Sequence, residues 1–144
     1  MNDEINIFLA EDDHDDSFLF QEALNKLPYN TTLFVAHDGE VFTEMLNKLP
    51  APDFIFLDLN MPKKDGYVCL NDIRTSAKLD HVPVIIMSTS SNEQSITRAH
   101  SEGANLYIRK PDNFAGLVKI IGICIEKKNK YPDKPPKEDF FLAV

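Results

Sequence analysis

The chain has 144 residues, 43% apolar and 26% charged, with a formal net charge of -8 and a sequence pI near 4.9. That size suits a single domain with an ordinary core, and the negative balance repels polyanions, which argues against non-specific binding to nucleic acid or to an anionic membrane. No apolar stretch reaches membrane-spanning length and the start, Asn2-Asp3-Glu4, is acidic where a secretory leader is basic, so the expectation is a cytoplasmic protein.

Ile5 to Ala10 reads as a first strand, running into Glu11-Asp12-Asp13-His14-Asp15-Asp16, five carboxylates in six positions. Such runs are ordinarily solvated loops. Acids in a first helical turn also complement the helix dipole, and Asp13, Asp15 and Asp16 fit one or other of these readings. Phe18, Leu19, Ala23, Leu24 and Leu27 mark a helix that Pro28 ends, and Thr31 to Ala36 is a β-rich second strand. After the Asp38-Gly39 turn, Val41, Phe42, Met45, Leu46 and Leu49 recur at helical spacing up to Pro50.

Phe54-Ile55-Phe56-Leu57-Asp58 is an unbroken apolar run that stops at an acid, the pattern of a strand covered on both faces in a parallel sheet. Asp58 thus lies at the carboxyl end of a buried strand, the rim where open α/β sheets bind ligands. Pro62 and the Lys64-Asp65-Gly66 turn close it. Tyr67, Val68, Leu70, Ile73 and Ala77 give a third helix, and Val82 to Met87 a fourth strand ending in Ser88-Thr89-Ser90-Ser91. Glu93 to Ser101 is a polar helix with Gly103 as its C-cap, and Leu106-Tyr107-Ile108-Arg109 a short fifth strand expected at the sheet edge. Asn113 caps a last helix whose stripe is Phe114, Leu117, Val118, Ile121 and Ile125, leaving Ile120 and Ile123 as a partly exposed flank. The alternation predicts an α/β fold: a flavodoxin-like, doubly wound, five-stranded parallel sheet in the order 2-1-3-4-5, with five helices. Cys69 and Cys124 fall inside helical patterns without metal-ligand spacing and read as buried free thiols.

In that strand order Glu11 and Asp12 approach Asp58 across the switch point. Clustered carboxylates repel unless a cation neutralises them, and a hard ion such as Mg²⁺ takes carboxylates, waters and phosphate oxygens. Ser88 and Lys110 end neighbouring strands at the same rim. Acids, metal, hydroxyl and ammonium together make a phosphoryl-handling site.

These residues resemble, in order, the signature of the response-regulator receiver domain, which is CheY-like. The likeness spans roughly Ile5 to Lys127 and includes the acidic pair Glu11-Asp12, Asp58 within Leu57-Asp58-Leu59-Asn60-Met61-Pro62, Ser88, Tyr107 and Lys110-Pro111. The resemblance implies that Asp58 accepts phosphoryl from a histidine kinase or a histidine phosphotransfer protein. It implies Mg²⁺ held by Asp12, Asp58 and the Asn60 backbone carbonyl, with Glu11 acting through a water. Lys110 would pair with Asp58 and its phosphate, Ser88 would bond a phosphate oxygen, Tyr107 would be the aromatic switch, and Pro111 would follow a bond that is usually cis. Glu11 is longer than the commoner Asp, and Thr89 is larger than the usual Ala or Gly.

Taken singly, Lys110-Pro111 is a common dipeptide, Tyr107 an edge-strand aromatic and His14 an exposed loop residue, while His37, His81 and His100 show no clustering. The run of Lys127, Lys128, Lys130, Lys134 and Lys137 reads as a solvated helix end and tail. A haloacid-dehalogenase-like phosphatase would need an acid where Asn60 stands, so the chain is read as a signalling domain and not an enzyme. The alternative is a receiver-like interaction module that works without phosphorylation. The domain is expected over 1–128 and a tail over 129–144, with output through protein contacts. The layout looks most like single-domain regulators that partner phytochrome-type kinases. The stiff Tyr131 to Pro136 connector and apolar Phe140-Phe141-Leu142-Ala143-Val144 either fold back on the domain or, with helix five, form a homodimer surface.

Overall fold

The computed structural model describes residues 4–127, 131 and 135–144; the expected 128/129 boundary, Lys128, Lys130, Lys134 and the Pro132 to Lys134 part of the connector lie outside the described residues. Strands β1 (Ile5–Ala10), β2 (Thr31–Ala36), β3 (Phe54–Asp58), β4 (Val84–Ser88) and β5 (Leu106–Arg109) alternate with helices α1 (His14–Asn25), α2 (Gly39–Lys48), α3 (Gly66–Arg74), α4 (Glu93–Ser101) and α5 (Phe114–Glu126). Every helix starts at an Asp or Asn, at positions 13, 38, 65, 92 and 113, whose side chain accepts a hydrogen bond from a first-turn amide. Gly103 follows α4 with φ 104°, a conformation open to glycine.

All strand pairs are parallel, in the order β2-β1-β3-β4-β5-β6, so the expected order is present with one strand more than the sequence pattern gave. The added β6 (Phe141–Leu142) follows a 3-10 turn at Lys137–Asp139 and pairs Tyr107 with Phe141 and Ile108 with Leu142. Two residues carry no readable period, which is why this strand escapes a pattern search. Its presence corrects the view of β5 as an edge strand. The tail folds back on its own domain, and Phe140 is fully buried there.

Alternation along the strands sends side chains to two cores. Phe8, Phe42, Ile55, Leu57, Cys69, Tyr107 and Phe140 pack on the face covered by α2, α3 and α4, whereas Ile7, Leu9, Phe20, Phe56, Ile121 and Cys124 pack on the face covered by α1 and α5. Both cysteines are buried and free, and burial pushes both thiols well above their ordinary value. The expected exposed flank of α5 is corrected at Ile120, which is fully buried, while Ile123 is half-buried and Phe114, assigned to the inner stripe, is exposed. Helix α1 packs along α5, and a Cβ on Gly122 would lie 3.1 Å from Cδ2 of Leu27 in the turn that follows α1. Among the described residues no peptide bond is cis, so the bond before Pro111 is trans, contrary to expectation, and no helix is long and apolar enough to cross a membrane.

The loop after β3 is fixed by close backbone packing. Lys63 adopts φ 68°, Gly66 N–H donates to the Leu59 carbonyl, and a Cβ on Gly66 would sit 2.5 Å from the Asp58 carbonyl oxygen and 2.7 Å from Leu59 Cα. Because those neighbours are backbone, they can move only by shifting the end of β3. Gly66→Ala is therefore expected to lower stability by about 1–3 kcal/mol in urea unfolding, the range of overpacked sites, with an unchanged m-value.

Candidate functional site

Register alone brings the predicted residues together. Ala10 pairs with Leu57, Asp58 with Met87 and Ser88 with Arg109, so Glu11, Asp58, Ser88 and Lys110 line up on the carboxyl rim of four adjacent strands. Carboxylate oxygens of Glu11, Asp12 and Asp58 lie within 4.8 Å of one another, Glu11 and Asp58 buried and Asp12 exposed, a donor set that could hold a metal ion. Asp58 Oδ1 accepts from the Asn60 N–H at 3.1 Å, and Glu11 Oε2 from the Asp13 N–H at 3.2 Å. The loop that carries Asn60 is thereby tied to Asp58 itself.

Lys110 reaches all of this from β5. Its Nζ lies 2.6 Å from Glu11 Oε1, 3.5 Å from Asp58 Oδ2 and 3.5 Å from Asp16 Oδ2. The expected Lys110–Asp58 pair is present, but the shorter bond goes to Glu11, whose longer arm spans the gap an Asp would leave. Burial pushes the Glu11 carboxyl up from an ordinary 4.5 to about 7; the Lys110 bond pulls against this and the Asp58 charge adds to it. Burial works against the Lys110 charge as well, yet the Glu11 bond and the charges of Asp58, Glu11 and Asp16 hold it above its ordinary value.

Ser88 is buried; its Oγ accepts from the Ser90 N–H at 3.1 Å, and its own hydroxyl proton has the Tyr107 oxygen as acceptor. Tyr107 is fully buried, its hydroxyl donating to the Ser90 carbonyl at 2.9 Å and lying within hydrogen-bonding reach of Ser88. Pro111 lines, with Leu19, Phe20, Lys110, Phe114 and Leu117, a cleft of about 240 Å³ between α1 and α5 that opens beside Glu11. Thr89 is exposed at the rim.

Sequence reasoning missed three contributors. Asp16, read as a solvated acid, faces Lys110; its place one turn after the N-cap Asp13 was the available signal. His37 follows β2, and Ala36 pairs with Ala10, so the strand-end rule that picked Glu11 would have picked it too. Its Nδ1–H donates to the Glu11 carbonyl at 3.0 Å, and its ring stacks on His14 at 3.9 Å, which corrects the view of His37 as unclustered. His100, also read as unremarkable, is buried against Phe140.

The family of response regulator receiver domains matches residues 7–122. The chain belongs to this family. Among curated proteins, the response regulator Rcp1 of Synechocystis sp. is 34% identical over 131 residues, spanning 84% of this chain and 89% of that protein. Among solved structures, the phosphorylated cyanobacterial phytochrome response regulator RcpA superposes with a TM-score of 0.81 at 34% identity, covering 88% of this chain and 95% of that one. The Mn²⁺-bound form of Rcp1 superposes with a TM-score of 0.76 at 33% identity, covering 85% and 92%. The receiver domain is thus a two-component signalling module, similar along nearly its whole length to phytochrome response regulators.

Glu11 links the site to pH. Its folded value of about 7 exceeds its unfolded value near 4.5, so the fold favours the protonated form. The stability it contributes is full below about 4.5 and is lost as pH rises through about 7. A divalent cation offsets the ionised state. The rise in Tm on adding Mg²⁺ is therefore expected to be larger at pH 8 than at pH 6, and Glu11→Gln should flatten that difference in a thermal-shift series.

Proposed function

We propose that this receiver accepts a phosphoryl group on Asp58 from the phospho-His of a sensor histidine kinase or a histidine phosphotransfer protein. The observation that carries the reading is the convergence of Glu11, Asp12 and Asp58 oxygens within 4.8 Å at the strand rim, with the Lys110 ammonium reaching Asp58. The donors are hard oxygens, which fits Mg²⁺ held by Asp12, Asp58, the Asn60 backbone carbonyl and, through a water, Glu11. Bound there, the ion would neutralise the carboxylates and charge developing on the phosphoryl oxygens.

Within the chain, an Asp58 carboxylate oxygen attacks phosphorus, the P–N bond breaks with its electron pair returning to the donor nitrogen, and the imidazole, carrying its proton on the other ring nitrogen, leaves neutral. Lys110 moves from Glu11 toward the new phosphate, whose charge of about -2 is the stronger attraction. Ser88 turns its hydroxyl proton from the Tyr107 oxygen to a phosphate oxygen. The kinase approaches over the rim and α1, where Phe18 and Leu19 are exposed beside the cleft. Output passes through protein contacts in the cytoplasm, by a protein that partners a phytochrome-type kinase.

Incubation with acetyl phosphate and Mg²⁺, followed by phosphate-affinity electrophoresis, is expected to shift the unsubstituted protein and not Asp58→Asn. Lys110→Ala should slow uptake by about 10²-fold, the loss seen when a preorganised charge donor is removed. Labelling that survives in Asp58→Asn would move the acceptor to another acid. Failure of every phosphodonor, Mg²⁺ present, would leave the phosphorylation-independent module.

The same reading extends to a homodimer through α5 and the tail. Among the described residues, strand β6 is the last strand of the sheet, with Phe141 and Leu142 half-buried, an edge of the kind a second copy can extend. Light scattering at tens of micromolar should give twice the monomer mass, and Leu142→Lys should return it to the monomer value.

A further inference from the structure

The C-terminal strand sits one residue away from the carboxylate pocket. Tyr107 is the link. Its backbone N–H donates to the Phe140 carbonyl at 2.9 Å, and its hydroxyl donates to Ser90, whose own N–H is bound to Ser88 Oγ. The Phe140 ring is buried between His100, at 4.9 Å and 81°, and Tyr107, at 6.5 Å, while Phe141 lies 5.9 Å from the same tyrosine. His100 Nε2–H donates to the Pro135 carbonyl at 2.7 Å, so α4 grips the tail ahead of the turn.

We propose that residues 135–142 form a strap coupled to the pocket, docking of Phe140–Leu142 on β5 and phosphoryl loading of Asp58 each favouring the other. The proposal rests on Asp58 as phosphoacceptor. Ser88 cannot turn its proton to a phosphate oxygen without fixing the Ser88–Ser90 loop, and that loop holds the Tyr107 hydroxyl. The strap fits only while Tyr107 stays inside, because Phe140 and Phe141 pack on its ring. Loading and docking therefore select the same tyrosine position, and by linkage the coupling acts equally in both directions. The strap pairs through two residues only and is held chiefly by one phenyl ring, which keeps its docking shallow enough to be shifted.

Backbone hydrogen exchange on the full chain, with and without Mg²⁺ and beryllofluoride as the phosphoryl mimic, reads this directly. The Tyr107 and Phe140–Leu142 amides are expected to slow by about fivefold or more, the lower end of ordinary coupling. In the reverse direction, Phe140→Ala and His100→Asn, neither of which touches the pocket, should each weaken beryllofluoride affinity by a similar factor in ¹⁹F NMR titrations. His100→Asn removes the ring contact to Phe140 and the Pro135 bond but leaves the Phe140 side chain whole, and keeps the test valid where the larger truncation unfolds the chain. Beryllofluoride that binds with unchanged affinity in both variants and leaves the four amides unchanged overturns the strap; faster exchange on binding overturns it with opposite sign. Absence of binding to the unsubstituted protein, or binding that survives in Asp58→Asn, overturns the phosphoacceptor reading itself and the coupling with it.

Discussion

Among the described residues, the Lys110 ammonium faces Glu11, Asp16 and Asp58 at the strand rim, with Asp12 in the same acidic cluster. Lys110 is mostly buried, as are Glu11 and Asp58, with Asp12 and Asp16 at the mouth. Removing an ion from water costs several kcal/mol even after relaxation, and one cation compensates only part of the charge gathered here. The pocket is left electrostatically unfinished by its own residues. The cluster of Glu11, Asp12 and Asp58 is a donor set that could take a further cation.

The fold exists to hold that imbalance in place. Glu11 and Lys110 are the first residues past β1 and β5 and Asp58 is the last of β3, so their positions follow from the strand ladders and not from a flexible loop. The β3 strand is buried along its whole length, and Gly66 presses the next helix against its last residue. Strength in the hydrophobic layers thus supports a site that is unfavourable by itself, the trade commonly seen at functional sites.

Most of this was legible in the sequence, for identifiable reasons. Long apolar runs ending in chemistry-bearing residues gave the strands and the rim, and strand order followed from the alternation. Asp16 and His37 were hidden because each is ordinary in isolation and meaningful only through a partner far along the chain. The partner of Lys110 was misjudged in emphasis: Glu11 wins the short bond by one methylene of reach. Strand β6 was illegible because two residues have no period, and its site on β5 depends on Phe140 finding His100 and Tyr107. Ile120 was misplaced because periodicity reports a helix's own stripe and is silent about a second helix packed alongside it.

The two buried thiols lie on opposite sides of the sheet, Cys69 among the side chains under α2, α3 and α4 and Cys124 among those under α1 and α5. With a sheet between them they cannot meet as a disulfide, and their raised thiol values leave little nucleophilic thiolate at neutral pH. Each layer therefore carries its own dormant sulfhydryl, awakened only when that layer opens. Labelling of Cys69 or of Cys124 by a thiol reagent would thus report opening of the α2–α4 side or of the α1–α5 side separately.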